Sequence, residues 1–121
     1  MKRDMDLLRS ILILTEEQPA GQMAQDFSSL KAEQQEIIEH IWLADRAGLL
    51  EAVFAGNSPG NGRAVIKRLT PAGHDFLAHA RQSVLWSKAK ETAAKAGVGL
   101  TVDVMKTLLT SLANAALGRL G

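Results

Sequence analysis

A chain of 121 residues, 46% of them hydrophobic, is long enough for one domain with a modest core. It contains no cysteine, which excludes disulfides, thiolate metal sites and a cysteine nucleophile. Its formal net charge of +1 gives no overall attraction to nucleic acids or anionic membranes, so any such binding must depend on a local patch of charge.

The amino terminus predicts neither a secretory signal nor a membrane anchor. Two acidic residues, Asp4 and Asp6, precede the first apolar run, and no small-residue cleavage site follows it. No apolar stretch approaches the ~20 residues that a membrane-spanning helix needs. We therefore expect a soluble, cytoplasmic protein with no membrane partner.

Apolar residues at helical spacing predict a first helix over residues 3–17. The acids in its first turn favour the positive end of the helix dipole, and Pro19 and Gly21 are expected to end it. The next segment, residues 22–29, is short and polar, and we interpret it as an irregular or extended connector. The apolar stripe of the helix contains Leu7, Leu8, Ile11, Leu12 and Leu14.

A second helix is predicted from about Leu30 to Ala47, with Ser28 or Ser29 as its N-cap. Trp42 has two interpretations, because it lies on the side opposite the expected core face. It is either a boundary residue folded back on the following strands or an exposed contact for DNA or a partner, since tryptophan is enriched in interfaces. The core face holds Ile37, Ile41, Ala44 and Gly48, with Gln34 and His40 at its edges.

A β-hairpin is predicted next, from two short apolar runs, LLEAVFA and RAVIKRLT, on either side of a loop of turn-forming residues. Gly48 is expected to end the preceding helix in a left-handed conformation. After the second strand, Thr70 is expected to be the N-cap of a new helix and Pro71 its first residue, because proline has no N–H to leave unpaired there.

Two or three helices are predicted after the hairpin. The helix from Pro71 turns Phe76, Leu77 and Ala80 inward, and VLWSKAKETAAKAG either continues it or begins a new one with Val84, Leu85 and Trp86. Gly97 and Gly99 should break it, and Thr101 should begin the last helix. That helix carries an apolar stripe with few flanking charges, which predicts burial against a second copy of the chain. The candidate dimer residues are Met105, Leu108, Leu109, Leu112, Ala116, Leu117 and Leu120.

The predicted fold class is mainly α with a small β-hairpin wing, that is, a winged helix, similar to a winged helix-turn-helix, followed by C-terminal helices. We expect a winged-helix domain over residues 1–83 and a helical extension over residues 84–121 that makes a two-fold dimer. Replacing Leu112 by glutamate should dissociate this dimer.

Catalytic patterns are weak. His74 and His79 are five positions apart, about 140° around a helix, so they do not face one metal ion. The glycines of the hairpin loop lack the spacing of a phosphate-binding loop, and no nucleophile motif is present. We predict a protein that is not an enzyme, with no cofactor, no metal and no evident small-molecule substrate.

The positions of the charged residues give evidence both for and against DNA binding. Residues 52–70 contain no acid, so the cations Arg63, Lys67 and Arg68 form a candidate contact for DNA phosphates. The helix before the hairpin opposes this, because its carboxylates outnumber its cations. Its candidate base contacts are Gln34, Gln35 and Arg46. Duplex DNA is therefore one expected partner, and a protein-interaction module that uses the same fold is the alternative.

Four segments, MKRDMDLLRSILI, EHIWLADRAGLL, LTPAGHDFL and VLWSKAKE, resemble an uncharacterised bacterial and prophage family, a domain of unknown function. This resemblance covers most of the chain and implies a small winged-helix protein without an activity to carry over. More loosely, the order AGLL, glycine-rich loop, LTPAG is similar to MarR-type regulators, which implies a dimeric, DNA-binding transcription regulator. The polar segment at residues 22–29 departs from that pattern, because a helix-turn-helix needs a helix there.

Overall fold

The structure is a computed structural model and describes residues 2–18, 27, 29–55 and 63–118. These residues form five helices and one antiparallel two-stranded sheet, which confirms the predicted fold class of a mainly helical chain with one hairpin. In chain order the elements are α1 (Met5–Glu17), α2 (Gln34–Arg46), β1 (Leu50–Ala55), β2 (Arg63–Leu69), α3 (Pro71–Ala80), α4 (Ser83–Ala96) and α5 (Val102–Gly118).

The chain divides into two compact units, Met1–His74 and Asp75–Gly121. The division falls inside α3, whereas the sequence predicts a boundary between residues 83 and 84. Within the described ranges, each helix is too short or too polar to span a bilayer.

Helix α1 confirms the first predicted helix, with Asp4 as its N-cap. The Asp4 carboxylate accepts a hydrogen bond from the Leu7 N–H at 3.1 Å, which satisfies a donor that the helix itself leaves unpaired. The helix packs against α2 and β2 in the core of the first unit. Its buried residues are Met5, Leu7, Leu8, Ile11 and Leu12.

The start of α2 differs from the prediction. The helix begins at Gln34 rather than Leu30, and its N-cap is Glu33, whose side chain makes no capping hydrogen bond. The predicted cap at Ser29 is wrong because Ser29 lies in a turn, in which the Leu30 N–H donates to the Phe27 carbonyl at 3.0 Å. The other predicted cap, Ser28, lies outside the described residues, as do most of the predicted connector and the glycine-rich loop.

The end of α2 is as predicted. Gly48 has a φ of +81°, a left-handed conformation that costs a glycine little. Its N–H donates to the Asp45 carbonyl at 3.0 Å, and the Leu49 N–H donates to the Ala44 carbonyl at 2.9 Å. This pair of bonds is the Schellman arrangement, which satisfies carbonyls at the end of the helix and turns the chain into β1.

Residues on either side of the hairpin meet in what we call the junction, formed by Gly48, Leu49, Thr70 and Gly73. The Thr70 N–H donates to the Leu49 carbonyl at 3.0 Å, and the Thr70 hydroxyl donates to the Gly48 carbonyl. The same hydroxyl oxygen accepts from the Gly73 N–H at 3.0 Å, which confirms Thr70 as the N-cap of α3. A Cβ on Gly73 would overlap the Leu49 carbonyl, so only glycine fits. The LTPAG motif therefore has a structural explanation.

In the second unit, α4 is a new helix rather than a continuation of α3. The ring of Phe76 meets that of Trp86 edge to face, with centroids 6.4 Å apart. Gly97 ends α4 with a φ of +72°, and the Thr101 hydroxyl caps α5 by accepting from the Val104 N–H at 3.1 Å, so both predicted helix boundaries are confirmed. Helices α4 and α5 pack together. Their buried residues are Trp86, Ala89 and Ala93 on α4 and Met105, Leu109 and Ala113 on α5.

Candidate nucleic-acid interface

The hairpin has one buried face and one face turned to solvent. In the antiparallel register, Leu50 pairs with Leu69 and Ala52 with Ile66, and both buried strand leucines and Ile66 contribute to the core. The alternate pairs, each with at least one exposed residue, define what we call the outward face; within it Val65 is half-buried. Its paired positions are Glu51 with Arg68, Val53 with Val65, and Ala55 with Arg63.

A β-bulge decides which cations reach the outward face. The register shifts between Glu51 and Ala52, so that Lys67 is an extra residue on β2 without an opposite partner. In a regular strand, Arg68 would share a face with Ile66, because side chains alternate. The bulge instead sets Arg68 opposite Glu51, and Lys67 and Arg68 are both exposed. The hairpin thus presents Arg63, Lys67 and Arg68 to solvent, as a phosphate contact requires.

The three cations differ in their neighbours. The Arg68 guanidinium lies 3.6 Å from the Glu51 carboxylate, and both side chains are more than half exposed. Such a surface pair is weak and is screened by salt. Arg63 and Lys67 form no ion pair with any described residue. The charges of Arg63 and Lys67 are therefore not offset by a described acid, whereas that of Arg68 is partly offset by Glu51. Glu51 is the one acid among the described residues of the two strands.

The exposed side of α2 is less favourable to DNA. Gln34 and Gln35 are exposed at its amino-terminal end, and Arg46 is exposed at its last turn. The Arg46 guanidinium lies 5.4 Å from the centroid of the Trp42 ring, a cation–π distance. Trp42 is half-buried, so it lies between the two predicted interpretations.

An acidic groove of about 640 Å³ runs along the amino-terminal half of α2 and the start of α1. Carboxylates dominate its described lining, so DNA phosphates would be repelled from this end of the helix. Gln35, a predicted base contact, lies within it. The described residues that line the groove are Lys2, Asp4, Glu33, Gln35, Glu36 and Glu39.

His40 has a structural role that the sequence does not reveal. Its side chain is 0% exposed, although its position predicts the edge of the core. Its Nδ1 lies 2.7 Å from the Glu36 carbonyl, and its Nε2 accepts from the Asp4 N–H at 2.9 Å. A neutral ring protonated at Nδ1 satisfies both bonds, so His40 joins the start of α1 to α2.

His74 Nδ1 lies 3.7 Å from a Glu16 carboxylate oxygen, on an exposed surface. Among the described residues there is no group of three or more histidine, aspartate or glutamate side chains placed to hold a metal ion.

The predicted dimer residues fall into two groups. Met105 and Leu109 are buried on α5, which packs against α4 in the same chain, and Leu108 and Leu112 are half-buried. Ala116 and Leu117 are exposed, with Leu117 at 64%, and Leu120 lies outside the described residues. The apolar surface of α5 that is available to a second copy is therefore concentrated near its carboxyl-terminal end.

Comparison with known proteins identifies the wider group of this chain. The family described as hypothetical protein (DUF2513) matches residues 2–99. A Haemophilus influenzae protein titled "Uncharacterized protein" is 33% identical over 116 residues, which are 93% of this chain and 95% of that relative. These matches confirm the predicted family of unknown function. No solved structure gives a significant match, and the similarity to MarR-type regulators stays a prediction.

Proposed function

We propose that this chain, which belongs to the family described as hypothetical protein (DUF2513), binds duplex DNA through the outward face of its hairpin. The observation that supports this proposal is the exposure of Arg63, Lys67 and Arg68 on one strand, with the bulge turning Arg68 to solvent beside Lys67. In this interpretation α2 and the hairpin are the helix and wing of a winged-helix regulator that acts on transcription in the bacterial cytoplasm, encoded by the host or by a prophage.

The charges favour contact with phosphates over the reading of bases. Guanidinium and ammonium groups neutralise phosphates and release counterions, and this contribution to the free energy of binding does not depend on base sequence. The carboxylates beside Gln35 oppose entry of the amino-terminal half of α2 into the major groove. We therefore propose that the hairpin makes the first contact and that any base contact comes from Arg46, at the other end of α2.

The test is binding of the purified protein to a labelled duplex of mixed sequence, measured by fluorescence anisotropy at several salt concentrations. Each phosphate contact contributes about 0.9 to the slope of log K against log salt concentration. The triple variant Arg63→Ala, Lys67→Ala, Arg68→Ala should therefore bind weakly, with a slope smaller by roughly 2 to 3.

The matched control removes three lysines from the second unit: Lys88→Ala, Lys95→Ala and Lys106→Ala. Both triple variants change the net charge equally, so a difference between them reports the position of the charge. Equal affinity and equal slopes for the wild type and the hairpin variant would contradict the proposal. A loss of the same size in both variants would show attraction by net charge only.

We also propose that the protein acts as a homodimer, which would present two hairpins to one duplex. Leu117 supports this, because a large aliphatic side chain exposed at the end of α5 favours burial in an interface. Sedimentation velocity at micromolar concentration should show a dimer for the wild type and a monomer for Leu117→Glu and Leu112→Glu. Thr110→Glu, on an exposed position of α5, is the control and should remain dimeric. A monomeric wild type would rule the dimer out.

The acidic groove favours a second candidate, a protein-interaction module that binds a basic peptide. Glu33, the N-cap of α2, and Glu36 and Glu39 on the helix line one side of it and attract cations rather than DNA. Calorimetry with an arginine-rich peptide tests this candidate: the wild type should bind, and the variant with these glutamates replaced by glutamine should not. A protein that binds no DNA but binds this peptide would favour the interaction module.

A further inference from the structure

We infer that a cavity between α2 and β2 binds a small molecule with an aliphatic body and a carboxylate head. The cavity lies within the first unit and has a volume of about 480 Å³, inside the range of roughly 300–1,000 Å³ typical of small-molecule sites. The residue pattern alone predicts no small-molecule site, because the cavity exists only once α2 packs beside β2.

The walls of the cavity are mostly aliphatic. Ile37, Ile38 and Ile41 line it from one side of α2, and Ala64 and Val65 line it from β2. None of its described lining residues is acidic. Branched aliphatic walls favour an alkyl body, because burial of apolar surface drives its transfer from water without directed bonds.

Two exposed polar side chains supply the head-group contacts. Arg63 lies on the β2 side of the cavity, and Gln34 lies on the α2 side. Within the described part of the chain, neither side chain forms an ion pair or hydrogen bond. A carboxylate complements the guanidinium and can accept from the amide. A cationic head would be repelled by Arg63, and a neutral head would leave its charge unpaired.

Decanoate is the probe, with decan-1-ol as the uncharged analogue of the same chain length and acetate as the head group without the body. Calorimetry is done without DNA, so that the result does not depend on the proposed DNA binding. Decanoate should bind saturably and about three- to tenfold more tightly than decan-1-ol, the range expected for one partly exposed charged contact. Acetate should not bind. Methyl resonances of Ile37, Ile38 and Ile41 should shift with decanoate.

Variants separate the head contact from the body contact. Arg63→Gln should abolish the preference for decanoate over decan-1-ol, whereas Arg68→Gln, on the same strand but outside the cavity lining, should retain it. Ala32→Leu and Ala64→Leu each add volume to a half-buried wall position and should weaken decanoate binding at least about tenfold. Ala32 lies in the bend before α2 and Ala64 lies in β2, so one informative variant remains if the other fails to fold.

The inference would be overturned by no saturable binding of decanoate, by equal affinity for decanoate and decan-1-ol, or by unchanged binding in a folded Ala32→Leu or Ala64→Leu variant. Shifts of methyl groups elsewhere, with those of the three isoleucines unmoved, would place the ligand at another site and would equally refute it.

Discussion

The junction lies at the base of the hairpin and the outward face lies on its strands, and the chain uses the two regions differently. At the junction, Thr70 bonds to two backbone carbonyls and one N–H, and Gly73 leaves space for the Leu49 carbonyl. On the outward face, Arg63 and Lys67 make no ion pair with a described residue. The stability of the fold therefore accounts for the presence of Thr70 and Gly73 at the junction. It does not account for the presence of Arg63 and Lys67 on the outward face.

This contrast separates residues that a fold requires from residues that a function requires. AGLL and LTPAG mark a place where a helix end, two strands and a helix start must fit together, and such a fit serves many functions equally well. The residues that folding does not require are better candidates for recognition. The following substitutions test this separation, beginning with the largest expected effect on stability.

Gly73→Ala should destabilise the protein by about 3 kcal/mol or more, because the new Cβ would overlap backbone that cannot move without disturbing Thr70. In an ordinary helix the same change would stabilise by roughly 1 kcal/mol. The sign of the change in the free energy of unfolding therefore shows whether the new Cβ overlaps the backbone. Urea denaturation measures the free energy of unfolding. Gly99→Ala is the control, since a Cβ there meets open space. Equal free energies of unfolding for the two variants would contradict the proposal that the close approach at Gly73 requires a glycine.

Thr70→Ala should cost about 1–2 kcal/mol, because it removes the N-cap of α3 and the donor to the Gly48 carbonyl. Thr70→Ser retains the hydroxyl and should recover most of the loss. If serine and alanine were equally destabilising in the same denaturation experiment, the lost methyl group rather than the hydrogen bonds would be responsible.

The triple variant Arg63→Ala, Lys67→Ala, Arg68→Ala should change the free energy of unfolding by no more than about 0.5 kcal/mol, the usual range for surface positions. Among the described residues, the exposed Arg68–Glu51 pair is the one ion pair lost, and such pairs contribute little. A loss of several kcal/mol would show that the outward face belongs to the fold and would weaken its assignment to DNA.

A smaller effect is expected from an exposed pair in the second unit. Lys95, whose Nζ lies 2.9 Å from a Glu91 carboxylate oxygen, lowers the pKa of Glu91 by hydrogen bonding and by charge. Because this pKa is lower in the folded state, the pair stabilises the protein above the unfolded-state pKa of the carboxyl, and the contribution is lost as pH falls through the folded-state value.

Glu91→Gln should therefore lower the thermal midpoint slightly at pH 7 and leave it unchanged at pH 2. A difference in thermal midpoint between the variant and the wild type at pH 2 alone would contradict the expected direction of the pKa shift. Lys106→Gln, at an exposed position of α5, is the control for a change of charge without loss of this pair.

The sequence by itself determined the order of the elements and most of their ends. Gly48 and Gly97 end helices, and Thr70 and Thr101 begin them, because the hydrogen bonds that close or cap each helix join residues within five positions along the chain. The predicted start of α2 was wrong because its observed N-cap, Glu33, makes no capping hydrogen bond through its side chain and is not a typical N-cap residue.

The candidate site was only partly predictable in the same way. Its cations follow from the acid-free stretch, but their common exposure depends on the bulge at Lys67, which only strand pairing decides. The burial of His40 depends on Asp4, 36 positions away, and the cavity depends on α2 lying beside β2. Local hydrogen bonds are encoded by neighbouring residues, whereas contacts between distant residues arise only when the whole chain packs, and so they belong to the tertiary structure.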